Sequence, residues 1–333
     1  RSRYYRIAVA ALLVSILALA AAWHQLDWTW YRQDQLAFRL GEKSSPVCLE
    51  AEVLSSPRLL AAPPVDPLCP FPQQRMSRMH LQIHRVRDGD GWAGASGEGT
   101  LLVAGDVLHV RCGDRVRVFA FARRTRGRLN PGMAGTQGMR GQREIFQLRS
   151  TAPEALQRLH RAGWGSPAVW MESLRLRICH ILEHQLGPAD ASLAEAMLVG
   201  ERQLVTADQR EGFFLTGTVH LLAISGLHLG LLAGVFWLAI RSGLVDRQRG
   251  LLTCIAFVLF YCWLTGGRPP IMRAAILATV FCLSELSFRP VLPVNVLATA
   301  AVLVLAIDPS SLFQVGTQLS FLAVLGLVRC RGL

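Results

Sequence analysis

Residues 220–234, HLLAISGLHLGLLAG, are apolar enough to cross a bilayer, yet they include two histidines and a serine. A polar side chain that faces hydrocarbon is costly, so intramembrane His and Ser usually face a bundle interior, a partner or a water-filled path. On a helix that turns by about 100° per residue, His220, Ser225 and His228 fall within an arc of about 140°. The stretch therefore predicts a membrane helix with one polar, functional side.

A stripe of glycines, Gly226, Gly230 and Gly234, lies on the neighbouring face of the same helix. Small residues at this spacing let another helix approach closely, so the stripe is predicted to be a packing face. Two other interpretations of the polar side chains stay open. They bond across helices without further function, or they bind a metal, which the separation of the histidines and the missing HExxH pattern disfavour. We predict no metal and no cofactor.

Apolar residues make up 51% of the 333 residues, more than a soluble domain needs for its core. The chain is therefore predicted to be a membrane protein with a polytopic α-helical transmembrane bundle. The first apolar run resembles a signal peptide, but we interpret it as a retained anchor and expect an upstream segment before Arg1. Several runs are only just long enough to span. The candidate spans are Ile7–Trp23, His220–Ile240, Leu251–Gly266, Ile271–Ser287, Val291–Ile307 and Leu312–Val328.

Arginines in short loops set the predicted orientation, because Lys and Arg near span ends are retained in the cytoplasm. Basic residues precede the first span, follow the second, lie between the fourth and fifth, and follow the sixth. Every second loop is therefore predicted to be cytoplasmic. This orientation places residues 24–218 outside the cytoplasm.

Short strands replace the helical periodicity in the external segment. Polar and apolar residues alternate in VCLEAEV from Val47, in MHLQIHRV from Met79 and in DVLHVRCGDRVRVFAFA from Asp106. These strands and the Pro-, Ser- and Gly-rich loops between them fit a small β-barrel of oligonucleotide-binding type, while periodicity alone leaves a β-sandwich open. Phe119 and Phe121 alternate within the last of these strands and are predicted to face the core.

Arginines are concentrated between positions 111 and 149, where ten of them accompany only two acidic residues, a formal excess of eight. Guanidinium groups pair with phosphates in a planar, bidentate geometry, and such contacts give sequence-independent affinity that weakens with salt. The excess indicates either a polyanion-binding surface or a surface that is merely solvated. The predicted external DNA contacts are Arg115, Arg117, Arg123, Arg124, Arg126 and Arg128.

Three of the eight cysteines lie in the strand-rich part of the external segment, residues 24–150, and this odd number leaves one of them unpaired. If the compartment is oxidising, Cys48 and Cys112 could bridge two strands. The alternative is that these thiols are buried or free.

Residues 170–186, WMESLRLRICHILEHQL, place apolar side chains at helical spacing with charged ones opposite. This helix is predicted to lie along the membrane surface and to be followed by two short helices joined near Gly200. The sequence LVGERQ lacks the GK[ST] element of a phosphate-binding loop, so the chain carries no sign of a nucleotide-driven motor of its own.

Two prolines, Pro269 and Pro270, separate Arg268 from Arg273 in TGGRPPIMRAA. Tandem prolines end one helix and begin another, and broken helices are tolerated at membrane depth where they line a cavity. Both arginines are therefore predicted to face an aqueous path for anions, and the alternative is an external turn from which Arg273 reaches the headgroups. A polar cluster at the start of the last span could join this lining: Gln314, Thr317, Gln318 and Ser320.

Four motifs occur in order within about 130 residues: LVGERQLV, HLLAISGLHLGLLAG, TGGRPPIMRAAILA and DPSSLFQVGTQLSFLAVLGL. Together they resemble the competence region of the ComEC-type DNA-internalisation proteins. GDRVRV and the segment NPGMAGTQGMRGQREIF from Asn130 are similar to the oligonucleotide-binding-type domain of that family. The resemblance implies a channel in the bacterial cytoplasmic membrane that admits one strand of transforming DNA.

By motif position, the resemblance implies six channel residues: His220, Ser225, His228, Arg273, Gln318 and Ser320. The argument for an aqueous path adds Arg268 to them. The implied partners are single-stranded DNA, the lipid bilayer, a DNA receptor protein outside and an ATP-driven DNA translocase inside, with a homo-oligomer left open. The predicted domains are an anchor (1–23), an external barrel (24–150), interfacial helices (151–218) and an incomplete transmembrane channel region (219–333).

Members of the family commonly continue into further membrane helices and a β-lactamase-like domain suspected of degrading the other strand. The chain ends at Leu333 and contains no HxHxD metal motif, so we expect a truncated product that is not an enzyme. Two alternatives stay open. One is a membrane-embedded hydrolase using His220, Ser225 and His228, although no acidic residue accompanies them in the span. The other is a membrane anchor whose external domain binds anionic polymers.

Overall fold

A computed structural model gives the fold. The chain divides into two compact units. The barrel unit contains Asp34–His228 and Leu259–Ile271, and the helical unit contains Arg1–Gln33, Leu229–Val258 and Met272–Leu333. The structure describes residues 18–26, 36–41, 43–60, 75–107, 109–124, 144–163, 166–200, 205, 207–218, 225–287 and 292–330.

Eight strands lie in the described part of the barrel unit: β1 (Ser45–Val53), β2 (Arg58–Leu59), β3 (Met76–Asp88), β4 (Gly91–Gly94), β5 (Glu98–Ala104), β6 (Arg115–Arg124), β7 (Glu144–Ser150) and β8 (Leu156–His160). Five of them close into a barrel in the order β1-β3-β5-β7-β6, and β6 pairs back onto β1. The closing pair runs from Ser45↔Ala122 to Glu52↔Arg115.

The closure distinguishes a β-barrel from the β-sandwich that the alternation alone left open. The β5–β7 pair is parallel, and the other four pairs around the barrel are antiparallel. Five closed strands with one crossover of this kind form a Greek-key barrel of oligonucleotide-binding type. The barrel prediction is therefore confirmed.

Apolar side chains at alternate strand positions fill the barrel, because successive side chains of a strand point to opposite faces. Leu81, Leu101 and Leu148 are fully buried, and Phe146 is 1% exposed. A Cβ at Gly99 would overlap the Phe146 ring, so only glycine leaves room for this large side chain. The narrow interior is thus packed around one aromatic ring.

The prediction that Phe119 and Phe121 face this core is wrong. Their side chains are 43% and 47% exposed, and the inward positions of β6 belong to smaller residues. These inward residues are Val116, Val118, Ala120 and Ala122. Alternation shows which side chains share a face, and in β6 the two phenylalanines share the exposed face with Arg115 and Arg123.

The described helices are α1 (Leu36–Arg39), α2 (Pro167–Leu186), α3 (Pro188–Leu198), α4 (Ala207–Leu215), α5 (Gly226–Arg241), α6 (Arg247–Leu264), α7 (Pro269–Leu286), α8 (Pro293–Ile307) and α9 (Val315–Cys330). Residues 18–26 are helical as well, and Pro153–Ala155 and Pro309–Phe313 form 3-10 turns. The remainder of the first predicted span, before residue 18, lies outside the described residues.

A hydrogen-bonded network holds α2 to the barrel. The Ser56 N–H donates to Glu172 Oε1 at 3.1 Å, and Arg175 Nη1 donates to Glu172 Oε2 at 2.9 Å. Arg175 also donates to the carbonyls of Trp263 and Leu264 at the end of α6. The predicted helix is present, and its position along a membrane surface stays a prediction.

One described helix, α7, is long and apolar enough to span a bilayer, and three shorter helices, α5, α8 and α9, are apolar. Only 22% of α7 is buried, whereas the core helix of a soluble protein would be mostly buried. Large apolar side chains such as Leu231, Val302 and Leu322 are exposed on the shorter helices. Exposed apolar surface of this kind favours membrane association, while the polytopic bundle stays a prediction.

The Cys48–Cys112 bridge is not formed, because both residues are free thiols. Cys112 is buried, and its Sγ donates to the Leu54 carbonyl at 3.1 Å. Burial raises the pKa of the Cys112 thiol to about 12, and burial also raises the pKa of Cys48. Both thiols therefore stay protonated at neutral pH. This agrees with the alternative to a bridge, in which the thiols are buried or free.

Candidate functional site

A buried arginine is the main polar feature of the helical unit. Arg273 lies one turn inside α7, after the Pro269-Pro270 pair that begins this helix. Its side chain is 8% exposed. Nη1 donates to Thr317 Oγ1 at 3.2 Å, and Nη2 donates to the Gly316 carbonyl at 3.2 Å. The guanidinium therefore joins α7 to the first turn of α9.

The charge of Arg273 is not balanced by any described carboxylate, since none of the described ion pairs includes it. Its Nε has no hydrogen-bond partner among the described residues. Arg247 shows the contrast, because it pairs with Glu285 at 2.6 Å on an exposed surface. A buried cation held only by neutral acceptors is costly and favours an anionic partner.

Three other predicted path residues form no described hydrogen bond with Arg273. Gln318 Nε2 donates to the Leu312 carbonyl at 3.0 Å, which caps the preceding turn, and Ser320 is exposed. Arg268 is half-buried at the turn before α7, and its carbonyl accepts from the Ile271 N–H at 3.0 Å. Of the predicted α9 cluster, Thr317 alone contacts the guanidinium.

Ser225 and His228 meet at the start of α5. The Ser225 N–H donates to His228 Nδ1 at 3.2 Å, and Ser225 Oγ lies 2.9 Å from the same nitrogen. A ring nitrogen that accepts the backbone N–H cannot also carry a hydrogen, so the hydroxyl is the donor. This geometry resembles a capping box in which the third helical residue reaches back to the cap.

The predicted arc of three polar residues on one helix is corrected by this cap. Helix α5 begins at Gly226, so Ser225 precedes it instead of lying on its polar face. His220 lies outside the described residues. The cap orients the histidine, and no described carboxylate forms an ion pair with His228 to orient a base. In the described part of the chain, no three His, Cys, Asp or Glu side chains are placed to hold a metal ion.

Replacement of the cap tests this interpretation of Ser225. Ser225→Ala is expected to destabilise the first turn of α5 by about 1 kcal/mol, because the hydrogen bond from the hydroxyl to His228 Nδ1 is lost. Ser225→Asn keeps a side-chain donor and should be nearly neutral. Hydrogen exchange of the α5 amides in detergent micelles measures the difference. Covalent modification of the chain by a fluorophosphonate, lost in Ser225→Asn, would instead identify Ser225 as a nucleophile.

The glycine stripe borders open space. No described atom lies within 4 Å of a Cβ built on Gly230 or Gly234. Gly234 lies beside a cavity of about 260 Å³, which is also lined by Trp237, Cys254 and Cys282. No described helix makes the predicted close approach at these two glycines, so the packing face stays a prediction.

The predicted external arginines occupy different environments. Arg117 donates to Glu50 at 2.7 Å, and its guanidinium carbon lies 5.0 Å from the centre of the Trp92 ring. Arg115 and Arg123 are exposed on the same outer face of β6, and Arg124 is half-buried. Arg126 and Arg128 lie outside the described residues. Arg117 is therefore an ion-paired residue, while Arg115 and Arg123 are more accessible to an anion.

The sequence analysis missed Trp92, counted Arg149 in the arginine excess without predicting it as a contact, and placed the two phenylalanines on the wrong face. Arg149 on β7 lies directly opposite Phe121, and Gln147 lies opposite Arg123. The pattern RVRVFAFAR contains the signal, because its arginines and phenylalanines occupy the same alternate positions. If the arginines are outside, the phenylalanines are outside too.

A family model matches the region that holds α4 to α9. Its description is "Competence protein", and it matches residues 197–331. These residues are therefore similar to the competence-protein family. Arg273 and the capped Ser225–His228 pair both lie within this competence region.

The chain is also similar in sequence to individual proteins. The chain is 34% identical over 157 residues to "ComE operon protein 3" of Bacillus subtilis (strain 168), covering 47% of this chain and 20% of that protein. It is 33% identical over 184 residues to "Competence protein ComA" of Neisseria gonorrhoeae, covering 51% and 26%. It is 32% identical over 137 residues to "Uncharacterized protein YcaI" of Escherichia coli (strain K12), covering 39% and 18%. The matches thus span only about a fifth to a quarter of these relatives.

Proposed function

We propose that this chain is a channel component for the uptake of single-stranded transforming DNA across the bacterial cytoplasmic membrane. The barrel lies outside the cytoplasm and binds the incoming strand, and the helices of the competence region form part of a polytopic bundle that conducts it. The names of the competence relatives support a role in DNA uptake.

The observation that carries this proposal is the unbalanced charge of Arg273. A guanidinium is effectively always protonated, and this one lies 8% exposed in an apolar helix with two neutral acceptors. A phosphate that passes α7 supplies the missing negative charge and a site for the unpartnered Nε. Charged groups within membrane helices commonly mark substrate paths.

The fold and the surface charge of the barrel also support this proposal. Its closed five-strand topology is of a type that binds oligonucleotides, and exposed arginines lie on its outer face. Exposed arginines attract any polyanion. The alternative, a membrane anchor that binds anionic glycans, therefore differs from the proposal in which polyanion the barrel prefers. Single-stranded DNA should compete effectively against an anionic polysaccharide of equal charge.

No enzymatic step is assigned to the chain. The hydrolase alternative rests on the Ser225–His228 contact, which a helix cap explains without catalysis. The proposed partners are a DNA receptor outside, an ATP-driven DNA translocase inside and further copies of the chain.

Reconstitution into liposomes tests the proposed uptake. A potassium diffusion potential, positive inside, should drive a labelled single-stranded oligonucleotide into vesicles that contain the chain, since about 2.3 kcal/mol is gained per charge per 100 mV. Label that resists added nuclease measures the uptake. Protein-free vesicles and a duplex of the same length are the controls, and nuclease-resistant label equal to theirs would contradict a channel role for this chain.

A further inference from the structure

The outer face of β6 carries both arginines and exposed aromatic rings. Four outward residues, Arg117, Phe119, Phe121 and Arg123, follow one another at alternate positions. The two aromatic side chains are 43% and 47% exposed, although they lie in the middle of a well-paired strand. Exposed aromatic rings on a rigid strand form a fixed surface, because the strand leaves them little freedom to turn inward.

The charges on this face are arranged unevenly. At the first half of β6, Arg117 is paired with Glu50 on β1, and Arg115 lies opposite Glu52. At the second half, Phe119 and Phe121 lie opposite Cys48 and Pro46 on β1, where there is no carboxylate. The outward cation of the second half, Arg123, therefore has no carboxylate opposite it on the cross-strand positions described.

Arg123 and Arg149 supply the cationic charge beside the two rings. Arg149 lies opposite Phe121 on β7, Arg123 is two residues further along β6, and both are exposed. Phe119, Phe121, Arg123 and Arg149 thus form a surface of two aromatic rings flanked by two guanidinium groups. We name these four residues the β6 platform.

The usual ligand face of such a barrel is less open. Oligonucleotide-binding barrels commonly bind on the face of their second and third strands, which are β3 and β5 here. Thr100 on the outer side of β5 is 6% exposed, and its hydroxyl lies 3.3 Å from His80 Nδ1 on β3. Thr100 is thus covered at the centre of that face and His80 beside it is half-buried, whereas both rings of the β6 platform are more than 40% exposed.

The spacing of the two rings selects for a single, extended strand. Positions two apart on a strand are about 6.6 Å apart, roughly twice the 3.4 Å between neighbouring nucleotides along one strand of a duplex. Two successive bases can therefore stack on both rings only when they are unstacked from each other. Paired bases in a duplex cannot adopt that spacing.

We propose that the β6 platform binds extended single-stranded DNA, with successive bases stacked on Phe119 and Phe121 and phosphates paired with Arg123 and Arg149. This deepens the proposed function and rests on it, because it assigns the external step of uptake to one surface. Stacking tolerates every base, so binding at the platform is independent of sequence.

The test is a fluorescence titration of the purified full chain in detergent micelles with a labelled oligo(dT) of about 16 nucleotides. Phe119→Leu and Phe121→Leu should each raise the Kd by at least about fivefold, because leucine keeps the apolar surface but offers no ring. Phe119→Trp and Phe121→Trp should bind as tightly as the unmodified chain. Arg123→Gln and Arg149→Gln should each reduce the slope of log K against log salt by about 0.7.

Matched controls are Leu159→Ala, an exposed apolar residue on β8, and Arg85→Gln, an exposed cation on β3. Neither should change the Kd by as much as twofold. If both leucine variants bind the oligonucleotide as tightly as the unmodified chain, the face is an apolar docking surface, for example for a bilayer, and the platform is overturned while uptake stands. If the unmodified chain binds no oligonucleotide at low salt, the external binding step of the proposed function fails as well.

Discussion

Arg273→Glu is expected to lower potential-driven uptake by at least about 100-fold, because an attraction of about 4 kcal/mol to a phosphate 4 Å away, at an effective dielectric constant of 20, becomes repulsion. The new carboxylate would also face the Gly316 carbonyl, which now accepts a hydrogen bond from the guanidinium. Arg273→Lys keeps the positive charge and one of the two donors, so it should retain part of the uptake. The vesicle assay with nuclease-resistant label gives the comparison.

Two further variants separate a role in the path from a role in folding. Thr317→Val removes the Nη1 acceptor and leaves the charge in place, so uptake should persist if charge is what matters. Arg329→Glu reverses an exposed charge near the end of α9 and should behave as the unmodified chain. If Thr317→Val and Arg273→Glu lose uptake equally, or if Arg273→Glu no longer inserts into vesicles, Arg273 acts as a structural bridge between α7 and α9.

Phe146→Ala is expected to destabilise the barrel by about 3–5 kcal/mol, the usual cost of removing a buried aromatic ring. Phe146 is 1% exposed, and it fills the interior beside Gly99. Native-state hydrogen exchange of the β5 and β7 amides measures the loss, since these two strands pair directly beside the ring. Protection in the helical unit should not change in parallel.

Gly99→Ala tests the same packing from the opposite side. Its Cβ would overlap the Phe146 ring, so the substitution should cost about 1–3 kcal/mol. Gly94→Ala is the matched control, because beyond its chain neighbours no atom of the described residues lies within 4 Å of a Cβ built there. Gly99→Ala combined with Phe146→Leu should lose less stability than the sum of the two single changes. Strict additivity would show that the two residues do not share one space.

The barrel could be predicted from the sequence as far as the alternation reaches. Strands β1, β3 and β6 follow from period-two patterns, but the closure between β1 and β6 joins residues far apart in the chain, such as Cys48 and Phe119. Nothing local specifies that pairing. The outward face of β6 could have been recognised, because its arginines occupy the same alternate positions as Phe119 and Phe121. The prediction that these two rings face the core neglects that signal.

The site in the competence region shows the same limit. The tandem prolines predicted where α7 begins, and the sequence alone shows that Arg273 is a charge in an apolar run. Its partners, Gly316 and Thr317, are more than 40 residues away in the chain and follow from packing alone. Helical periodicity extended α5 back to His220, whereas a local cap at Ser225 begins the helix later.

Accessibility of position 273 tests most directly whether the DNA path passes Arg273. In an otherwise cysteine-free chain in vesicles, Arg273→Cys should react with a membrane-impermeant maleimide added outside, because a water-filled path must reach this position if phosphates do. A bound single-stranded oligonucleotide should slow that reaction, and a duplex should not. A thiol that fails to react, or that reacts at the same rate with and without single-stranded DNA, would contradict the account.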